Sequence, residues 1–264
     1  MDGVSTEPLK IYVQCDRLDR HAAFFIRKEL AKRNMLADTP GDIVFNIDSI
    51  HNTGFVKGGK LTLYMECDTF MSLGSKTDYY SQADILYING AQYLHLYPEG
   101  AKSLYHGYDP EYHKPLKVPK LYDYVFVGSL EPLPVYENRI RTLGYLSMTP
   151  TRLAIFNGAP EHYTEYIGMG HIVLNILPEI NGNICPNLKI IEAMGMGCLM
   201  MNYHPDLDHI AEKNVHYLPL DRFHTQVSLE EVEKISEASR KLVMEKYTYE
   251  KVVDIVLADI KERL

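Results

Sequence analysis

The sequence predicts an α/β protein made of two doubly wound domains that face each other across a cleft. Three observations carry this. Apolar runs of strand length alternate with stretches whose apolar residues recur at helical spacing, the pattern of parallel strands joined by crossover helices. The alternation plays through twice, and between the two passes prolines at 110, 115 and 119 stiffen a stretch where neither helix nor central strand is expected. A hydrophobic share of 46% over 264 residues is ample for the cores of two small domains. The boundary is accordingly placed between residues 117 and 118: 1–117 forms the first domain and 118–264 the second.

In the first domain Ile11 to Cys15 reads as a strand and Arg20 to Asn34 as a helix with Ala23, Ile26, Leu30 and Ala31 inside. Asp42 to Ile47, Leu61 to Glu66 and Ala83 to Ile88 read as further strands, Gly90 to Leu96 as a short helix and Lys102 to His106 as a fifth strand. Open α/β sheets place ligands at the carboxyl ends of their strands. Asp16, just after the first strand, His51, after the second, and Asp68, after the third, are therefore the catalytic candidates, Asp68 as a base or to orient an acceptor. An aspartate that leads into a helix also serves as its cap.

The second domain restarts with Tyr124 to Gly128, a helix from Val135 to Leu146, a strand from Leu153 to Phe156 and a helix from Glu161 to Ile167. The stretch 171–203 then carries the richest signal. His171 to Leu177 is a nearly continuous apolar run suited to a strand buried on both faces. The turn at Asn181-Gly182-Asn183 follows, then a helix from Pro186 closed by Gly195 and Gly197, and a strand from Cys198 to Tyr203. Val215 to Leu220 reads as a last strand. Ser228-Leu229-Glu230-Glu231 is a capping box for a helix reaching Met244, and Tyr249 to Leu264 is a final helix with Val252, Val253, Ile255, Val256 and Ile260 toward a core.

The chemistry clusters at two places in this second domain. Free backbone N–H groups at a helix start attract phosphate, and Asn187, Leu188 and Lys189 stand at such a start, with Glu192 about a turn further on to accept hydrogen bonds from sugar hydroxyls. Gly128-Ser129 forms a tight strand exit where backbone N–H groups can reach a phosphate. The ordinary alternative makes Lys189 a solvated surface lysine and Glu192 an exposed helix residue.

The segment Pro186-Asn187-Leu188-Lys189-Ile190-Ile191-Glu192-Ala193-Met194-Gly195-Met196-Gly197 resembles the donor-binding motif of glycosyltransferases of the GT-B fold, in particular the group related to the spore-maturation protein CgeB. Upstream, Tyr108-Asp109-Pro110-Glu111-Tyr112 and Asp123-Tyr124-Val125-Phe126-Val127-Gly128-Ser129 resemble that group's interdomain linker and the first strand of its C-terminal domain. The resemblance spans roughly the second half of the chain. It implies two Rossmann-like domains in a compact GT-B arrangement, with a last helix long enough to cross back onto the first domain. It implies that Arg139 joins the donor-phosphate set and that an acidic residue at the place of Asp68 lies near the cleft. Many retaining GT-B enzymes carry a further Glu eight residues before the one matched here. This chain has Ile184 there, so the resemblance specifies neither donor sugar nor stereochemical outcome.

A net charge of −8 and a pI near 5.8 argue against broad affinity for nucleic acid or anionic membranes. The four cysteines have no paired spacing, so neither a zinc site nor a disulfide framework is signalled. With no apolar leader and no run of membrane-span length, a cytoplasmic, soluble protein is expected. The expected function is transfer of a sugar from a nucleotide-sugar donor to an acceptor hydroxyl, with no cofactor and no metal. The acceptor is left open among a glycan, a protein, a small molecule or a modified nucleobase. Two other readings stay open, a nucleotide-sugar-binding module without catalysis and a GT-B-like nucleotide-sugar epimerase.

Overall fold

The structure is a computed structural model that describes residues 9–15, 22–48, 54–67, 77–114, 117–158, 163–180, 183–184, 189–203, 207, 209–225 and 227–264. The chain divides into two compact units, one comprising residues 1–106 with 249–264 and the other residues 107–248. Each contains a five-stranded sheet whose recorded strand pairs are all parallel.

The first unit runs β1 (Ile11–Gln14), α1 (Ala22–Lys32), β2 (Ile43–Asp48), β3 (Leu61–Glu66), α2 (Thr77–Gln82), β4 (Ile85–Ile88), a 3-10 helix (Ala91–Leu96) and β5 (Lys102–Ser103). The strands lie in the sheet in chain order, β1-β2-β3-β4-β5, with no reversal. That corrects the doubly wound expectation for this half. Periodicity reports the type of each element, whereas the edge a new strand joins is decided by long-range pairing that leaves no local trace. One face of the sheet buries Phe45, Ile47, Leu63 and Met65 against Phe25, Ile26 and Leu30 of α1. Ala31, expected inside, is exposed, and Phe25 takes the inner place.

The C-terminal helix belongs to this unit. It is α7 (Tyr249–Arg263) in the numbering used below, and its Val252, Val253, Val256 and Ile260 complete the same core at spacings of three and four. Ile255 falls on the opposite stripe and is 47% exposed. Asp259 accepts hydrogen bonds from the Tyr87 hydroxyl at 2.7 Å and from Lys102 Nζ at 2.6 Å, which anchors the helix to β4 and β5.

The second unit runs β6 (Tyr122–Gly128), α3 (Glu137–Ser147), β7 (Leu153–Asn157), α4 (Tyr163–Gly168), β8 (Gly170–Asn175), a small hairpin of β9 (Glu179–Ile180) and β10 (Asn183–Ile184), α5 (Lys189–Gly195), β11 (Leu199–Asn202), β12 (Leu218–Pro219) and α6 (Leu229–Lys246). Its sheet order, β12-β11-β8-β6-β7, reverses at β6 and makes this half doubly wound as expected. The predicted strand at 215–220 shrinks to two residues, because Leu220 to His224 winds into a 3-10 helix. The hairpin was missed, although two paired strands flanking an Asn-Gly dipeptide are a strong short-range signal.

Two helix ends follow their local chemistry. The Ser228 hydroxyl accepts from Glu231 N–H at 3.1 Å and starts α6. At the end of α5, Cys198 N–H donates to Ala193 O and Gly197 N–H to Met194 O, each at 3.0 Å, with Gly197 at φ 73°. This six-to-one and five-to-two pair needs a left-handed residue, which glycine supplies without strain.

Residues 107–114, assigned above to the first domain, belong to the second unit. Tyr108 is fully buried there, and its N–H donates to Tyr247 O at 2.7 Å. Its ring lies against Gly195, where any Cβ would collide with it. Pro110 and Pro119 both lie inside the second unit, so the prolines do not mark its edge. Among the described residues no helix is long and apolar enough to cross a membrane.

Candidate functional site

In a doubly wound sheet the ligand crevice opens where neighbouring strands send their connections to opposite faces, at the carboxyl ends. In the second unit that point lies between β6 and β8. The chain leaves β6 toward α3, whose Leu143 and Leu146 join the core on one face. The β6 exit is tied down by two hydrogen bonds, Gly158 N–H to Gly128 O at 3.0 Å and Leu130 N–H to Asn157 Oδ1 at 2.8 Å.

Arg139 spans this switch point. Its Nε donates to Ile176 O, beyond β8, and its Nη1 to Ser129 O, beyond β6, both at 2.8 Å. The guanidinium lies over the rings of Phe126, at 5.4 Å, and Tyr136, at 4.8 Å, within cation–π range. The residue is only 3% exposed, so it is not a solvated helix arginine. Arg141, two positions on, points outward and pairs with Glu137 one turn away.

Lys189 opens α5 and reaches the same place from the other side. Its ammonium donates to Val127 O and lies 5.6 Å from the Phe126 ring centroid, so one ring serves two cations. Burial, together with the Arg139 charge, lowers the Lys189 pKa from its ordinary value to about 7, while Glu192 pulls weakly the other way. Gly128 now has a reason that its backbone angles do not supply. A Cβ at that position would meet the Lys189 ammonium at 2.6 Å and the Phe126 ring at 3.0 Å.

Glu192, one turn along α5, is 6% exposed and faces inward, where the alternative reading had it on the surface. Its Oε1 lies 3.2 Å from Nε2 of His113, itself 2% exposed. The Tyr163 hydroxyl faces the same carboxylate, and burial together with that charge pushes the tyrosine pKa well up. At the neighbouring strand ends Asn175 Nδ2 donates to Asn202 Oδ1 at 2.7 Å, a buried amide pair that sequence reasoning did not single out.

Asn187 and Leu188 lie outside the described residues, so the helix start expected to bind phosphate is not part of this geometry. The first-domain candidates Asp16, His51 and Asp68 also lie outside them. So do both aspartates of Asp206-Leu207-Asp208, an Asp-x-Asp sequence; the expectation of no metal rested on the chain having no such pair, and the sequence itself corrects that premise.

What is described at the carboxyl edge of the first sheet is a pair of carboxylates in register on neighbouring strands, Asp48 and Glu66, at 1% and 0% exposure. Asp48 Oδ2 accepts from the Tyr64 hydroxyl at 2.7 Å. Glu66 accepts from the Tyr80 hydroxyl and, at 3.2 Å, from that of Tyr97. Burial and the adjacent carboxylates drive the Tyr64 and Tyr80 pKa values upward, which keeps both hydroxyls protonated as donors. Some of the chain's 20 tyrosines thus satisfy buried acids under an aromatic cluster.

No protein family and no curated protein matches the sequence. Solved structures do match the fold. HepE of Anabaena in complex with UDP-glucose superposes with a TM-score of 0.66 at 9% identity, over 97% of this chain and 100% of its own. A glycosyltransferase from Rickettsia africae gives 0.54 at 15% identity over 95% and 84%. A TarM variant of S. aureus, in complex with fondaparinux, alpha-GlcNAc-glycerol and UDP, gives 0.59 at 13% identity over 90% and 58%. The two five-stranded parallel sheets match those of these glycosyltransferase neighbours. At these identities the likeness concerns the fold.

Proposed function

We propose that this protein is a glycosyltransferase that moves a sugar from a nucleotide-sugar donor to an acceptor hydroxyl, of the kind related to the CgeB group. The observation that carries the reading is the convergence of Lys189 and Arg139 on one ring at the switch point of the second sheet. Two like charges held together in a partly desolvated place raise each other's free energy, and an anionic ligand relieves that cost. A diphosphate leaving group brings such charge, and more of it develops as the bond from the sugar to the phosphate oxygen breaks and the bond to the acceptor oxygen forms.

In this reading Lys189, Arg139 and the backbone at Gly128, Ser129, Asn187 and Leu188 hold the phosphates, and Glu192 accepts hydrogen bonds from the ribose. The first unit recruits the acceptor, with Asp16, His51 and Asp68 as candidates to orient its hydroxyl. The charge on the diphosphate is met by side chains and needs no divalent cation. UDP-glucose is the first donor to try, since the structure of HepE, a neighbour in fold, holds it.

Incubation with labelled UDP-, GDP- and ADP-sugars, with and without acceptor pools and with EDTA present, tests the proposal. Transfer to acceptor that survives EDTA is the expected result. Isomerised donor indicates an epimerase, and binding without turnover indicates a ligand-binding module. Activity lost to EDTA and restored by magnesium or manganese removes the metal-independent part and turns attention to Asp206 and Asp208.

A pH dependence follows from Lys189. Its pKa of about 7 leaves it largely neutral at pH 8 in the free protein, and a bound diphosphate favours the charged form. Donor affinity therefore falls as pH rises above 7, and binding at pH 8 takes up protons, approaching about one per donor, while binding at pH 6 takes up almost none. Calorimetric titration of UDP in buffers of different ionisation enthalpy measures this uptake. A buffer-independent heat at pH 8 removes Lys189 from the phosphate set.

A further inference from the structure

The sequence motif around Tyr108-Asp109-Pro110-Glu111-Tyr112 ends one residue short of a histidine that meets the carboxylate assigned to the donor. The turn that carries His113 is closed on itself. Asp109 Oδ1 accepts from the N–H groups of Glu111 at 2.8 Å and Tyr112 at 2.9 Å, His113 N–H donates to Asp109 O at 2.8 Å, and the Tyr108 hydroxyl donates to His113 O at 2.6 Å. The imidazole stacks on Tyr108, at 5.6 Å and 28° between planes, and takes the edge of Tyr112 at 4.9 Å. The ring is thus fixed in position and orientation.

Its tautomer is fixed as well. Asp109 N–H points at Nδ1, 3.2 Å away, so Nδ1 is an acceptor and the proton of the neutral ring sits on Nε2. Nε2 faces Glu192 Oε1 at 3.2 Å. A buried carboxylate is expensive unless hydrogen-bonded, and an apolar pair of the same shape would fill this space at no such cost. The turn therefore spends its hydrogen bonds on aiming one N–H at one carboxylate oxygen, on the helix that also carries Lys189.

We propose that His113 is a positioning residue for the donor. By holding Oε1 of Glu192, with the Tyr163 hydroxyl against the same carboxylate, it fixes the carboxylate's rotation, so that the acceptor positions left over meet the vicinal hydroxyls of a nucleotide ribose. This rests on the donor-site reading above and adds to it a specificity: the site distinguishes ribonucleotides from deoxyribonucleotides through a histidine that does not touch the sugar.

The test compares UDP, GDP and ADP with their 2′-deoxy counterparts by calorimetry, on the wild-type protein and on His113→Phe, His113→Gln and Glu192→Ala. His113→Phe keeps the stacking on Tyr108 and removes the N–H. The wild type is expected to prefer the ribonucleotide by about tenfold, the worth of one hydrogen bond to a charged group. His113→Phe and Glu192→Ala should bring the ratio to within about twofold, and His113→Gln, whose amide restores a donor, should recover part of it.

If no nucleotide binds the wild type, the donor reading itself fails. If one binds and Glu192→Ala loses the preference while His113→Phe keeps it, the donor reading stands and the positioning role is overturned. A purely structural role would lower the melting temperature of His113→Phe and leave the ratio unmoved. Should neither His113 variant fold, histidine-selective 15N spectra of the wild type decide. The Nε2–H tautomer for His113, with a shift on nucleotide binding, supports the role, and an Nδ1–H tautomer or an unmoved signal overturns it.

Discussion

Arg139→Met is expected to lower the stability of the second unit by about 2–4 kcal/mol, because it leaves two backbone carbonyls at the switch point without their donors and removes the cation from two aromatic faces. Ile176 O and Ser129 O both depend on the one guanidinium, from opposite sides of the sheet's reversal, so the change loosens the exits of β6 and β8 together. Chemical denaturation measures the loss. The same substitution leaves the burial that chiefly depresses Lys189 but removes the Arg139 charge that adds to it, so the lysine pKa rises in part and proton uptake on binding UDP at pH 8 shrinks. A variant that keeps wild-type stability would mean that other groups satisfy those carbonyls and that Arg139 does not hold the two strand exits together.

Lys189→Met should do the reverse. A lysine whose pKa falls to about 7 in the folded protein binds fewer protons than it does in the unfolded chain between that value and its ordinary value of 10.5. The folded state is penalised most below pH 7, and stability from this group rises with pH between 7 and 10.5. Methionine abolishes that rise and is expected to leave stability unchanged or higher at pH 7. Donor affinity falls by about 10- to 100-fold, the range for losing a charge-assisted hydrogen bond to phosphate. Gly128→Ala offers a second route to the same result, since its methyl group would occupy the place of the ammonium 2.6 Å away. Parallel UDP titrations and denaturation curves separate the two effects. A Lys189→Met protein that binds UDP as tightly as the wild type refutes the phosphate role.

The two variants distinguish cations that look alike in the sequence. Arg139 is held by the backbone and stabilises the fold around it. Lys189 is desolvated at the expense of the fold, the usual mark of a group retained for a ligand.

The types of most elements were legible in the sequence. Continuous apolar runs such as Val125 to Gly128 and Ile172 to Leu174 need both faces buried, and a helix such as α7 writes its inner stripe at spacings of three and four. Caps were legible for the same reason: Ser228 with Glu231, and Gly197 with its left-handed angle, act within a few residues of themselves. The order of strands in the first sheet was not legible, nor was α2. The two short edge strands β5 and β12 were read longer than they are, since an edge strand ends where pairing with its neighbour ends.

The candidate site divides along the same line. The sequence by itself determined that Gly128, Ser129, Lys189 and Glu192 stand at strand exits and helix starts, because those positions depend on local periodicity and on turn chemistry. Only the tertiary structure decided that Arg139 and Lys189 share the Phe126 ring, that Gly128 leaves room for an ammonium, and that His113 holds Glu192. These are contacts between side chains far apart in the chain. Their energies come from burial and mutual orientation, which no window of neighbouring residues contains.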